Sequence, residues 1–177
     1  MSVLAAAIPQ VILEYWKTSN KNRSWSLVIL FSCPIWSFIT NHSGADVGHP
    51  GPGVAKPSVT GIVFSCDEQA TKYVALTEIQ QPRVEIIESL QEMMERALWR
   101  FIEFKKRPPR RLIFFRDGVS EGEYNTVAAA EIKAIEGTLI LLLYVSNRWN
   151  FFSAAIQTIV AGKDYKIFVT FIVVGKR

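Results

Sequence analysis

Cysteine and charge are both scarce in this sequence of 177 residues, and no repeat or low-complexity tract runs through it. Its 2 cysteines, Cys33 and Cys66, can build neither a zinc knuckle nor a disulfide scaffold by themselves. With no secretion signal ahead of them they read as reduced core thiols. Charged residues make up 20%, below the roughly 25% usual for soluble domains, so part of the chain is poorly solvated. Long uninterrupted apolar runs are also missing. Residues 26–39 are apolar but too short for a spanning helix of about 20 residues, and Pro34 sits near their middle. Residues 137–162 are long enough, yet Asn147, Arg148 and Asn150 occupy their centre, where an arginine costs about 2.5–3.5 kcal/mol on insertion scales. Residues 1–12 lack the basic start of a secretory signal. The sequence therefore predicts no membrane span.

What is present is a hydrophobic fraction of 49%, which rules out a disordered tail, and a formal charge of +4. A net positive charge permits an anionic partner without demanding one. The basic residues are concentrated: Arg96, Arg100, Lys105, Lys106, Arg107, Arg110, Arg111 and Arg116 face the single acid Glu103. Such a run is either a nucleic-acid contact or the solvated face and exit of a helix.

From Gly44 onward the periodicities predict an ordered domain. Residues 49–57 (HPGPGVAKP) are a loop, because prolines and glycines break any period. Residues 58–65 and 72–79 read as strands with a turn between them. After Pro82, apolar positions recurring at three and four residues predict a helix over 83–104, ended by Pro108 and Pro109. The dense apolar run 111–115 is typical of a buried central strand, expected to stop at Arg116-Asp117-Gly118. Residues 120–136 are alanine-rich and helical with Ser120 as N-cap, and 166–174 form another buried strand. Strand, strand, strand, helix, strand, helix, strand is the element order of a ribonuclease-H-like α/β domain, a mixed sheet flanked by helices.

Two carboxylates stand where such a sheet places its chemistry. Asp46 lies at the end of the first strand, the one that runs into GADVGHP at 44–50 ahead of the 49–57 loop, and Asp117 lies at the end of the 111–115 strand. If those strands are parallel neighbours, both acids emerge at one carboxyl edge, where open α/β sheets collect their ligands. Paired carboxylates suit hard divalent cations, and two such ions clamp the attacking and leaving oxygens of a phosphodiester. The plain alternative is a turn residue and a helix-approach residue, since Asp-Gly is a common turn signal. Read locally, Glu85 is an acid at the start of a helix, favoured there by the dipole.

The motifs GADVGHP at 44–50, Lys56-Pro57-Ser58, Glu85-Ile86-Ile87, RDGVSEG at 116–122 and TFIVVGKR at 170–177 resemble the PIWI domain of eukaryotic Argonaute proteins. They occur in that family's order and cover 44–136 and 164–177. The resemblance sets apart an apolar N-terminal segment, 1–43, and an insert, 137–163, within a partial PIWI domain spanning 44–177. Both unmatched segments read as translated intron or as lineage-specific insertion. The resemblance implies a ribonuclease-H fold and guide-directed RNA cleavage with Mg²⁺ (or Mn²⁺). It places catalytic acids at Asp46, Glu85 and Asp117, with Asp46 and Asp117 as metal ligands and Glu85 as the family's inserting glutamate. It further implies guide-backbone contacts at Lys176 and Arg177, guide and target RNA as partners, and a cytoplasmic or nuclear location.

Departures from the family temper that expectation. The fourth acid or histidine of its tetrad falls beyond Arg177, and neither His42 nor His49 substitutes for it. The polar run Thr40-Asn41-His42-Ser43 stands where the family has an apolar strand, and is expected to weaken the strand that presents Asp46. The sequence thus predicts an RNA-binding fragment with an incomplete slicer tetrad. The alternatives are a metal-dependent endonuclease completed by missing sequence, and a non-catalytic interaction fragment or gene-model artefact.

Overall fold

A computed structural model describes residues 11–15, 39–67, 69–145 and 167–175. Six strands form one mixed sheet: β1 Val11–Tyr15, β2 Thr40–Gly48, β3 Ser58–Ser65, β4 Tyr73–Gln80, β5 Arg111–Val119 and β6 Phe168–Gly175, in the order β1-β6-β5-β2-β3-β4. β2, β3 and β4 are an antiparallel meander, whereas β2, β5, β6 and β1 run parallel. The parallel connections pass through two helices, α1 Leu90–Lys105 and α2 Tyr124–Val145. This is the expected ribonuclease-H-like fold. β1 is a strand that the sequence reading did not place.

Period-two alternation gives the sheet two unlike faces. Ala45, Val47, Ile62, Leu112, Phe114, Val169, Phe171 and Val173 point to one side and share a core with α1 and α2. Phe114 and Phe171 stack there with ring centroids 5.3 Å apart. α1 supplies Leu90, Met93, Met94, Leu98 and Ile102, while α2 supplies Val127, Ala128, Ile135, Leu139 and Leu142. The described helices thus lie on a single face. The opposite face exposes Val59, Val63, Tyr73 and Ile79.

Four sequence expectations are corrected. The helix expected over 83–104 begins only at Leu90. Arg83 has a positive φ, and the next residues spend their backbone groups elsewhere: Gln80 Nε2 donates to the carbonyls of Val84 and Ile86, and Ile87 N–H donates to Glu131. β5 continues through Arg116-Asp117-Gly118 to Val119 instead of stopping there. Ser120 makes no side-chain cap, a short 3-10 turn at 121–123 precedes α2, and α2 runs through Gly137 without a break. A Cβ at position 137 would stand 3.2 Å from Oε1 of the exposed Gln91 side chain, whose end would have to move aside. Finally, the polar run 40–43 is strand. Asn41 Nδ2 donates to the Ser65 carbonyl at 2.8 Å, Ser43 Oγ to Asn41 Oδ1 at 2.7 Å, and His42 N–H to Ser65 Oγ at 2.9 Å. Buried polar side chains are tolerated when they satisfy one another, so β2 reaches back to Thr40.

Cys66 is free and buried, and burial raises its thiol pKa. Cys33 lies outside the described residues. No helix among the described residues is long and apolar enough to cross a membrane.

Candidate functional site

β2 and β5 are adjacent and parallel, with Ala45 paired to Arg116. The next residues along each strand, Asp46 and Asp117, therefore stand level at the carboxyl edge, and both are exposed on the helix-free face. Each accepts one hydrogen bond from its own strand: Val47 N–H reaches Asp46 Oδ1 at 2.8 Å, and Gly118 N–H reaches Asp117 Oδ1 at 2.7 Å. Gly118 has φ +81°, and the β5–β6 register slips between Asp117 and Val119. A bulge of this kind carries a glycine in the left-handed region and re-aims the neighbouring side chain. The Asp-Gly pair read from sequence as a turn signal is thus a bulge within a strand.

Glu85 sits in the irregular segment before α1, where two other side chains fasten it. His49 Nε2 lies 2.9 Å from Glu85 Oε1, and His49 Nδ1 lies 2.8 Å from Ser58 Oγ. A carboxylate only accepts, so the ring donates from Nε2, while Nδ1 and the Ser58 hydroxyl share the second hydrogen bond. Ser58 Oγ in turn accepts from Arg83 N–H at 3.0 Å. From the other side Arg116 Nη2 donates to the Glu85 carbonyl at 2.6 Å and approaches Glu85 Oε2 at 3.9 Å. Of the two residues holding Glu85, Arg116 lies in β5 beside Asp117, and His49 directly follows the end of β2, three residues after Asp46.

Arg116 is itself fully buried. Its Nε donates to Glu131 Oε1 at 3.0 Å, and its Nη1 to the Asp117 carbonyl. Glu131, on α2, is also fully buried, and its Oε1 accepts Ile87 N–H at 3.2 Å as well. Burial raises the Glu131 carboxyl pKa, against the pull of the Arg116 charge and its hydrogen bond. The sequence reading missed this pair. The signal was there: Glu131 falls on the apolar stripe of Val127, Ala128, Ile135 and Leu139, where a charge requires a partner.

The donor chemistry of this edge suits a hard cation. Asp46 and Asp117 offer carboxylate oxygens side by side, and Glu85 Oε2 is buried with no hydrogen-bond partner. Among the described residues, however, no group of three or more His, Cys, Asp or Glu is gathered to hold a metal ion. The structure brings Asp46 and Asp117 level and fastens Glu85 through Arg116 of β5 and through His49, just past β2. Lys176 and Arg177 lie outside the described residues, following the end of β6.

Comparison with known proteins adds a family and a fold. The Piwi domain family matches residues 11–177. An Argonaute of Kluyveromyces polysporus, solved with a guide RNA, superposes with a TM-score of 0.60 and 26% identity, over 78% of this chain and 15% of that one. The C-terminal lobe of a budding yeast Argonaute gives a TM-score of 0.58 and 26% identity, over 76% of this chain and 24% of the other. The MID-PIWI domains of N. crassa QDE-2 share the fold at 20% identity, with a TM-score of 0.54 over 77% and 36% of the two chains. The chain thus spans between 15% and 36% of the length of these structures.

Proposed function

Since the chain belongs to the Piwi domain family, we propose that it binds guide and target RNA as the Piwi-domain part of an Argonaute-like RNA-silencing protein. The observation that carries this reading is the level pair Asp46 and Asp117 at the carboxyl edge of adjacent parallel strands. It is reinforced by a neighbour, at 26% identity, that was solved holding a guide RNA.

The chain's own contribution is orientation and charge. The Gly118 bulge aims Asp117, while His49 and Arg116 hold Glu85. Asp46 and Asp117 are the residues that would hold Mg²⁺ or Mn²⁺, which when bound supplies Lewis acidity toward phosphodiester oxygens. Lys176 and Arg177 would neutralise backbone phosphate, a contribution that falls as salt rises. Cleavage is a stricter demand, since a misplacement of about 1 Å can cost about 10²-fold. The described residues do not gather a third acid with Asp46 and Asp117 in metal-binding geometry. The proposal for this chain by itself is therefore binding without guide-dependent cleavage. Glu85 Oε2, buried without a hydrogen bond, favours one further reading, a metal-dependent endoribonuclease when additional sequence completes the ligand set.

The test titrates the chain with labelled single-stranded RNA over a salt series, then adds guide and target in Mg²⁺. Salt-sensitive binding with intact target is the expected result. Salt-independent binding refutes the electrostatic account, and site-specific cleavage lost in Asp46→Ala replaces it with the endonuclease reading.

A further inference from the structure

Glu131 sits outside the edge that carries Asp46, Asp117 and Glu85, yet one of its oxygens joins the parts that position them. Its Oε1 accepts Arg116 Nε–H at 3.0 Å and Ile87 N–H at 3.2 Å. The first bond holds β5 immediately before Asp117, and the second holds the backbone immediately after Glu85-Ile86. Arg116, oriented by Glu131, spends its remaining nitrogens on the carbonyls of Asp117 and Glu85. The segment from Arg83 to Ser89 is neither helix nor strand, so no regular ladder fixes where Glu85 points. Its place is set by side chains, and one of them, Arg116, is anchored on α2 through Glu131, which also holds the Ile87 amide.

A buried acid paired with a buried arginine is a poor way to gain stability. Removing two charges from water costs as much as their attraction returns, and apolar pairs of similar volume are often as stable or more so. Both members here are fully buried, and Glu131 Oε2 has no hydrogen-bond partner. Retaining such a pair calls for a reason other than packing, and the bonds to the Glu85 segment supply one.

We propose that Glu131 is the positioning residue for Glu85, setting the place of its carboxylate through Arg116 and the Ile87 amide. This deepens the endoribonuclease reading, in which Glu85 joins Asp46 and Asp117 when additional sequence completes the ligand set, and rests on it for the metal readout alone. The placement itself has a separate signature, because His49 Nε2–H donates to Glu85 Oε1 and does not touch Glu131. The ring nitrogen resonances of His49 therefore report where Glu85 is.

The experiment compares the full chain with Arg116→Met/Glu131→Leu, which replaces the pair by apolar side chains, and with Glu131→Asp, which withdraws the carboxylate by one methylene. Glu85→Gln provides the reference spectrum for a lost contact. In folded protein, judged by circular dichroism, both variants should move the His49 resonances toward those of Glu85→Gln. Mn²⁺ affinity should fall about 10–100-fold, the range for residues that orient metal ligands. Should the double variant fail to fold, Glu131→Asp decides. Wild-type His49 resonances in a folded variant overturn the proposal. Shifted His49 resonances in a chain whose wild type binds no Mn²⁺ support the positioning role and sink the metal reading of Glu85 instead.

Discussion

Two pairs of acids lie close in this fold and are treated in opposite ways. Asp46 and Asp117 are exposed at strand ends, and each accepts one hydrogen bond from the next residue of its own strand. Glu85 and Glu131 are drawn inward and share Arg116. Water solvates the first pair, so removing one of them leaves no buried group stranded. The second pair is tied to a cation with no access to water, so the same deletion strands a charge. The first pair is open to a ligand, whereas the second fixes the backbone that presents the ligand's other contacts. The difference predicts which substitutions change binding and which change folding.

Arg116→Ala should break the comparison most severely. It leaves the fully buried Glu131 without its cation and releases the carbonyls of Glu85 and Asp117. Breaking a buried pair from one side costs about 3–5 kcal/mol, a large share of a domain's stability. Thermal melts should show a midpoint lowered by well over ten degrees, or no cooperative transition. A midpoint within a few degrees of wild type would show that the pair carries no structural weight.

Asp117→Ala sharpens the same contrast from the exposed side. Surface substitutions usually fall within about 0.5 kcal/mol, so the melting curve should barely move. Mn²⁺ binding, measured by calorimetry, should disappear. Equal binding by wild type and variant would remove Asp117 from the ligand set.

The sequence showed this exposed pair more clearly than the buried one, for a physical reason. Asp46 and Asp117 lie near the carboxyl ends of their strands, and strand order follows from connection rules, so their meeting could be read from pattern. The core positions of β3, β5 and α1 were legible on the same grounds. Glu131 was legible only as an anomaly on an apolar stripe, because its partner is set by helix docking. The segment 83–89 was misread as helix because Ile86, Ile87 and Leu90 continue the helical period. The hydrogen bonds that override it come from Arg116 and Glu131, distant in the chain, and from the nearby Gln80 side chain, and an apolar period registers none of them. The run 40–43 was misread for the complementary reason. Its polarity argues against a central strand until Ser65 is placed beside it.

Gly118→Ala tests whether the exposed pair needs its bulge. The φ of +81° at Gly118 is one that a side chain adopts at a cost of about 1–2 kcal/mol. The variant should therefore melt a few degrees below wild type and, by turning Asp117, bind Mn²⁺ more weakly. Unchanged affinity alongside the lowered midpoint would confine the glycine's role to backbone strain.

The smallest effect belongs to His42, which shares the helix-free face of β2 with Asp46 but resembles the buried acids in its environment. Its Nδ1 is buried without a hydrogen-bond partner, and burial holds the imidazole below its ordinary pKa of 6.5. The unfolded chain therefore takes up this proton first as the pH falls. The stability contributed by neutral His42 is complete above pH 6.5 and is lost as the pH falls from there toward the depressed folded value. Glu131 carries the opposite sign: its raised carboxyl loses stability as pH rises, so a single wild-type profile mixes the two. Subtracting the profile of His42→Gln removes the Glu131 contribution, which both proteins share. Between pH 7 and pH 5 the wild type should lose more melting temperature than His42→Gln, by a margin smaller than any change above. Parallel profiles would mean that water reaches His42 Nδ1 in solution and that the ring titrates as it does in the unfolded chain.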